Sequence, residues 1–184
     1  MSGFTRYLMV QDAISDLVGR LASWIAVVLT GMLLFEVLMR YGVNRPTAWG
    51  HELSTMLFGV MGILAGAYAL RYQAHVRSEV VYMHFPPRVQ HFCDFVVFLM
   101  GLIVLLILFR MSIDFAWTSF IRGEVSGKSS WRPLLWPVKT VIPVGVLLLI
   151  LQSIAEMLRA LMKLLGRDFI DPRERDTTEA TEIR

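Results

Sequence analysis

Charge is scarce in this sequence. Only 18% of its 184 residues are Asp, Glu, Lys or Arg, against 55% hydrophobic, a balance that excludes an ordinary water-soluble domain. Cysteine is almost missing as well. With Cys93 as the one thiol, no internal disulfide can form, and no Cys-x-x-Cys is present for metal binding or thiol exchange. The chain also lacks a Gly-rich nucleotide loop, a recognisable Ser-His-Asp spacing and a His-Glu-x-x-His helix, each of which would carry a specific chemistry. No catalytic, cofactor-binding or metal-binding residue is therefore assigned. The formal net charge of +3 does not point to nucleic acid, because the Lys and Arg residues flank apolar runs and so describe membrane orientation.

What is present is length without charge. Four stretches, Leu21 to Phe35, Leu53 to Leu70, Phe95 to Phe109 and Thr140 to Ala155, carry no ionised side chain. Each is a little short of the ~20 residues that cross a bilayer, but flanking residues extend it and their charges can snorkel to the interface. The prediction is an all-α integral membrane protein of four transmembrane helices, with spans about 17–40, 49–71, 90–113 and 138–162 inside a membrane domain of residues 17–165. Residues 1–16 form a cytoplasmic amphipathic lead-in: Ile14, Leu17, Val18 and Leu21 repeat at helical spacing between Asp12, Asp16 and Arg20, a pattern that lies at a membrane surface. The acidic residues ahead of a long span argue against a cleaved secretory signal, so the first span stays as an anchor. Residues 166–184 are charged and poor in apolar side chains, a mobile cytoplasmic tail.

Orientation follows from the basic residues. Arg6, Arg20, Arg71, Arg77, Arg88 and the cations from Arg159 onward share the side of both termini and outnumber Arg40, Arg45, Arg110, Arg122, Lys128, Arg132 and Lys139 opposite them. The excess places both termini in the cytoplasm. Trp49, Trp117, Trp131 and Trp136 then fall at the outer interface, where an amphipathic ring is stable.

A charge at the bilayer centre costs about 2.5–3.5 kcal/mol on insertion scales, so transporters that conduct ions keep such residues for a cavity or relay. The central stretches here have none. Glu36 and Arg40 stand one turn apart near the outer end of the first span, and Glu52 opens the second at a similar depth. They are read as an outer ion-pair cluster holding the first two helices in register, with separate snorkelling side chains as the alternative. Gly59, Gly62, Gly66 and Ala69 share one stripe of the second span, and the Gly62/Gly66 pair predicts a close helix contact. Pro143 stands within the first turns of the fourth span, where it can bend them. Arg71, His75 and Glu79 recur every four residues, and Val76, Val80, Val81 and Met83 lie among them. This pattern predicts an interfacial helix between spans 2 and 3 that ends before Pro86, its polar face meeting either a partner, lipid headgroups or solvent. The loop from Thr118 to Trp136 has a Gly-Ser centre and is basic at Arg122, Lys128 and Arg132, so it is read as a flexible outer contact.

Arg40, Pro46, Trp49, Glu52 and Leu53, then Gly62, Ala65 and Gly66, then Arg71, His75, Val76, Glu79, Pro86 and Arg88, with "LLWPVKTVIPVG" carrying Trp136, Pro137, Ile142, Pro143 and Gly145, resemble the small, Q-type membrane subunit of tripartite ATP-independent periplasmic (TRAP) transporters. The resemblance runs from about Leu17 to Leu165. Two positions depart from it: His51 precedes Glu52 where the family often has two consecutive acids, and Glu79 stands where Asp is frequent.

The resemblance implies a bacterial inner-membrane complex in which this chain sits beside a large multispanning subunit, while a periplasmic substrate-binding protein delivers organic acids. In such systems the large subunit carries the substrate and sodium sites in an elevator-like cycle, and the small one steadies its fixed scaffold. Within that frame Pro46 can start the second helix, Trp49 can settle at the headgroups, and Glu52 can meet first-turn amides or pair with Arg40 or Arg45. Glu36, Arg40, Trp49, Glu52, Gly62, Gly66, Arg71, His75, Glu79, Trp136 and Pro143 are the candidate structural or partner-contact residues. Two other classes stay open: a membrane haem or quinone electron-transfer subunit, and a homomeric tetraspan adaptor. For haem, the sequence places His51 at one end of the second span and His75, His84 and His91 around the opposite loop, with none near the middle of a span.

Overall fold

A computed structural model describes residues 3–72 and 86–165. The interfacial helix expected between spans 2 and 3, with His75 and Glu79, and the tail of residues 166–184 lie outside the described residues. Among the described residues there are four α-helices: α1 (Gly3–Val37), α2 (Gly50–Arg71), α3 (Pro87–Ile121) and α4 (Trp136–Leu164). All four are long and apolar enough to cross a membrane. Among the described residues there is no extended strand, only a single bridge between Val125 and Leu134.

The lead-in runs directly into the first span, and its polar stripe faces other helices. α1 runs unbroken from Gly3 to Val37, because its polar stripe is covered by other helices: Leu8, Gln11, Asp12 and Ser15 are buried. α1 closes in a single π turn, Leu38–Gly42. Asn44 then takes a left-handed φ of 57° to reverse the chain.

Local chemistry explains where the other helices start and stop. Thr47 Oγ accepts the Gly50 N–H at 3.1 Å, satisfying one of the donors that α2 leaves open at its start. Pro87 occupies the first position of α3, where a missing N–H costs nothing. α3 continues past Arg110 and Asp114 to Ile121 and stops at Gly123, whose φ of 55° lets Gly123 N–H reach Phe120 O at 3.2 Å and Glu124 N–H reach Ser119 O at 3.1 Å. Pro143 lies inside α4, which runs through it without the bond that its nitrogen would have made to the Lys139 carbonyl.

α1 packs along α2, α2 along α4, and α3 along α4, while α1 meets α4 over a short stretch. The order across the molecule is therefore α1, α2, α4, α3, with the last helix lying between the second and third. The closest approaches are made at Gly145 and Gly19, with Gly66 of the expected pair also in contact. A Cβ at Gly145 would collide with Ile63 Cγ2 and stand 3.3 Å from the Ile63 carbonyl oxygen, and one at Gly19 would collide with the Tyr68 ring. Gly66 does meet α4, since a Cβ there would touch Leu149 at 3.4 Å. Gly59 and Gly62 have nothing within 4 Å; the stripe is covered at its Gly66 end and open at its start.

Candidate functional site

The chain's polar chemistry gathers at the two ends of the α1, α2, α4 block. We call the end near Gly3 and Leu164 the terminal end and the opposite one the distal end. Glu36 to Asp16 along α1 and Glu52 to Arg71 along α2 each span ~30 Å at 1.5 Å per residue, which is the thickness of a bilayer core.

At the distal end Glu36 is 7% exposed. Its Oε1 accepts from Arg40 Nη2 at 2.9 Å, and its Oε2 accepts from the Thr47 hydroxyl and, at 3.4 Å, from the Thr47 N–H. Because Thr47 also receives the Gly50 N–H, the α1 carboxylate is relayed through one hydroxyl to the positive end of the α2 dipole. Gly50 is required by that approach: a Cβ there would collide with Thr47 Oγ and stand 3.1 Å from Glu36 Cδ. Phe35 and Trp49 stack over the same junction with centroids 6.1 Å apart. A groove of about 210 Å³ opens beside it, lined by Leu33, Glu36, Arg40, Tyr41, His51 and Ser54.

Glu52 does not join this group. It is buried and accepts the Ser129 hydroxyl from the loop between α3 and α4, so the single outer cluster expected from sequence is two contacts, one from α1 and one from the loop. The cause is rotational. Glu52 follows Gly50 by two positions, which carries it ~200° around the helix and away from Glu36.

That loop is folded, contrary to the flexible strap expected. Ser126 N–H reaches Pro133 O and Leu135 N–H reaches Glu124 O, both at 2.9 Å, and Ser126 is buried. Glu124 accepts from Lys139 Nζ at 2.5 Å, and this ammonium, foremost, holds the Glu124 carboxyl below the usual carboxylate range. Lys139 lies at the same time 4.0 Å over the Phe115 ring. Trp136 meets Phe120 edge-on at 5.4 Å; its ring fastens α3 to α4.

At the terminal end the structure assembles a network that sequence reading missed apart from Arg71. Arg159 Nη2 lies 2.6 Å from Asp12 Oδ2 and its Nη1 2.9 Å from Glu156 Oε1. Gln152 donates to Glu156 at 2.9 Å and accepts from Ser15 at 2.8 Å. Asp12, Ser15, Gln152, Glu156 and Arg159 are all buried. Arg71, whose face was open to a partner, lipid headgroups or solvent, donates to the Asp12 carbonyl at 2.9 Å and pairs with Asp16. α1, α2 and α4 are thereby tied by ionic groups that satisfy one another, the condition under which buried charge is tolerated. The available signal was the spacing of Gln152, Glu156 and Arg159, which puts all three on one helical face at the end of the fourth span. Between Arg20 and Glu36, Glu52 and Arg71, and Lys139 and Glu156 no charged residue occurs.

Residues 29–163 match the family of tripartite ATP-independent periplasmic transporters, DctQ component. The chain belongs to this family. The match runs from the distal half of α1 to the last turn of α4 and so takes in the distal junction, the loop and most of the terminal network. As a TRAP small component with four apolar helices, it is a multi-pass membrane protein. No curated protein matches the chain.

Proposed function

We propose that this TRAP component is a non-catalytic scaffold, fastened to a large elevator-type membrane subunit that takes up organic acids on a sodium gradient. A periplasmic binding protein delivers the acid, and both termini of this chain face the cytoplasm of a bacterium whose inner membrane holds the complex. One observation supports the scaffold role above others: α1, α2 and α4 are tied at both ends, while between Arg20 and Glu36, Glu52 and Arg71, and Lys139 and Glu156, about 24–28 Å of each helix, there is no charge to bind or relay an ion. Such a block resists shear between its helices and conducts nothing, which is what a moving neighbour needs from its fixed support.

Co-expression with and without this chain tests the reading. The large subunit and binding protein alone are expected to lose sodium-dependent uptake of the acid in proteoliposomes, and restoring this chain is expected to recover it. Full uptake without the chain would refute an essential scaffold, and uptake by the chain on its own would refute the assignment of transport to the partner.

A further inference from the structure

The groove beside the distal junction changes character with depth. Its rim carries Arg40 from α1 and His51 from α2, and Val37 and Leu33 continue the α1 wall inward. Leu33 lies seven residues from Arg40, and Phe58 lies seven from His51, so each stands two turns and ~10 Å deeper on the same helix face as its rim residue. Leu33, Val37 and Phe58 are 47%, 51% and 62% exposed, an apolar wall left open below a polar rim. The Phe35–Trp49 stack over the same junction sets the rim at headgroup level.

The rim favours an anion. Glu36 is the one acid lining the groove, and its two oxygens are engaged by Arg40 and Thr47. Arg40 meets Glu36 through one nitrogen and its side chain is half exposed, so the five-donor guanidinium keeps N–H groups for a second acceptor. His51, exposed beside it, adds a ring donor, and the first turn of α2 brings the positive end of a helix dipole.

We propose that this groove binds a phospholipid, its phosphodiester held by Arg40 and His51 and one acyl chain laid along Val37, Leu33 and Phe58. Size and polarity select this occupant. One turn of helix, ~10 Å across and 5.4 Å tall, fills ~420 Å³, twice the 210 Å³ of the groove. Neither a second copy nor another subunit can therefore seat a helix there, whereas an unbranched hydrocarbon chain enters it. The order along the axis, donors at the rim and hydrocarbon two turns below, matches a phospholipid and no soluble anion. The inference does not depend on the scaffold reading.

The test uses the full chain, purified in detergent, washed free of lipid and titrated with a phosphatidylglycerol under native mass spectrometry. One adduct is expected to saturate ahead of all others. A diacylglycerol with the same chains, and inorganic phosphate, are each expected to give none at the same concentrations. Val37→Trp fills the apolar wall and leaves Arg40 and Glu36 in place; Arg40→Gln with His51→Ala strips the rim of its donors. Both variants are expected to weaken the adduct at least tenfold, and Arg45→Gln, a cation outside the groove, is expected to leave it unchanged. If the adduct survives both groove variants, the lipid binds elsewhere and the proposal fails. Equal binding of diacylglycerol would reduce the site to an apolar crevice, and equal binding of inorganic phosphate would reduce it to an anion site; either result overturns the assignment. In the complete transporter in native membranes, a photo-crosslinking residue at position 37 is expected to label lipid. Labelling of a protein partner in place of lipid would also overturn the proposal, and would leave the scaffold reading standing.

Discussion

Arg159 Nη2 stands 2.6 Å from Asp12 Oδ2, joining positions 147 residues apart in the chain. The contact closes the terminal end across α1 and α4, and both side chains are almost wholly buried. Removing one partner therefore leaves the other charged in a site that water does not reach. Asp12→Leu and Arg159→Leu are each expected to cost about 3–5 kcal/mol, the second because it also strips the buried Glu156 of its guanidinium, and the double replacement distinctly less than their sum. Thermal unfolding of the detergent-purified protein measures both. A double variant that loses the sum of the two single losses would show that the pair does not couple the helices.

At the distal end the critical atom is a hydroxyl. Thr47→Val removes both the bond to Glu36 and the cap on α2, and is expected to cost about 1–3 kcal/mol. Thr47→Ser retains the hydroxyl and is expected to stay within about 0.5 kcal/mol of the parent. The same unfolding assay checks this, and similar losses for Val and Ser would discount the relay.

Glycine substitutions separate covered from open positions. Gly145→Ala drives a methyl into Ile63 and is expected to destabilise the α2–α4 contact by about 1–3 kcal/mol. Gly62→Ala meets open space and, in the isolated chain, is expected to change stability by less than about 1 kcal/mol, in the stabilising direction.

The loop tie through Glu124 has a pH sign. Its folded carboxyl is shifted below the ordinary value by Lys139, so the stabilisation is complete above the unfolded carboxylate pKa of about 4.3 and is lost as pH falls through the lower folded value. In a Cys93→Ser background, a cysteine placed by Ser126→Cys, buried under the loop, is expected to resist a pyridyl disulfide, a reagent that still reacts with thiols in acid, above the ordinary carboxylate pKa and to become reactive as pH falls through the lower folded value. Glu124→Gln is expected to remove the pH dependence. Unchanged labelling across this range in the parent would show that the tie does not hold the loop.

The four helices and their order were legible because lipid imposes a length and an apolarity that any crossing segment must display. Glu36 with Arg40 was legible for a similar reason, being one helical turn apart. The partner of Glu52 was not, since Ser129 reaches it through the folding of a loop whose composition suggested an open strap. The terminal network was hidden because its links join α1 to the ends of α2 and α4, and no local periodicity reports a contact between distant segments. At Gly62 nothing among the described residues closes the glycine stripe, because small residues permit a close approach without saying which helix makes it. Gly145, which does make one, stands alone in its stretch and carries no repeating pattern.

The position of α4 between α2 and α3 bears on biogenesis. When the ribosome has released only three spans, α3 has no wall to lean on, and the Asp12 carboxylate has Arg71 of α2 at 3.8 Å but not yet the nearer guanidinium of Arg159. The final span to leave the translocon is the keystone: its arrival seats α3 and brings Arg159 to Asp12 in one event, so a nascent chain stalled before residue 136 would remain an α1–α2 hairpin trailing an unmoored third helix.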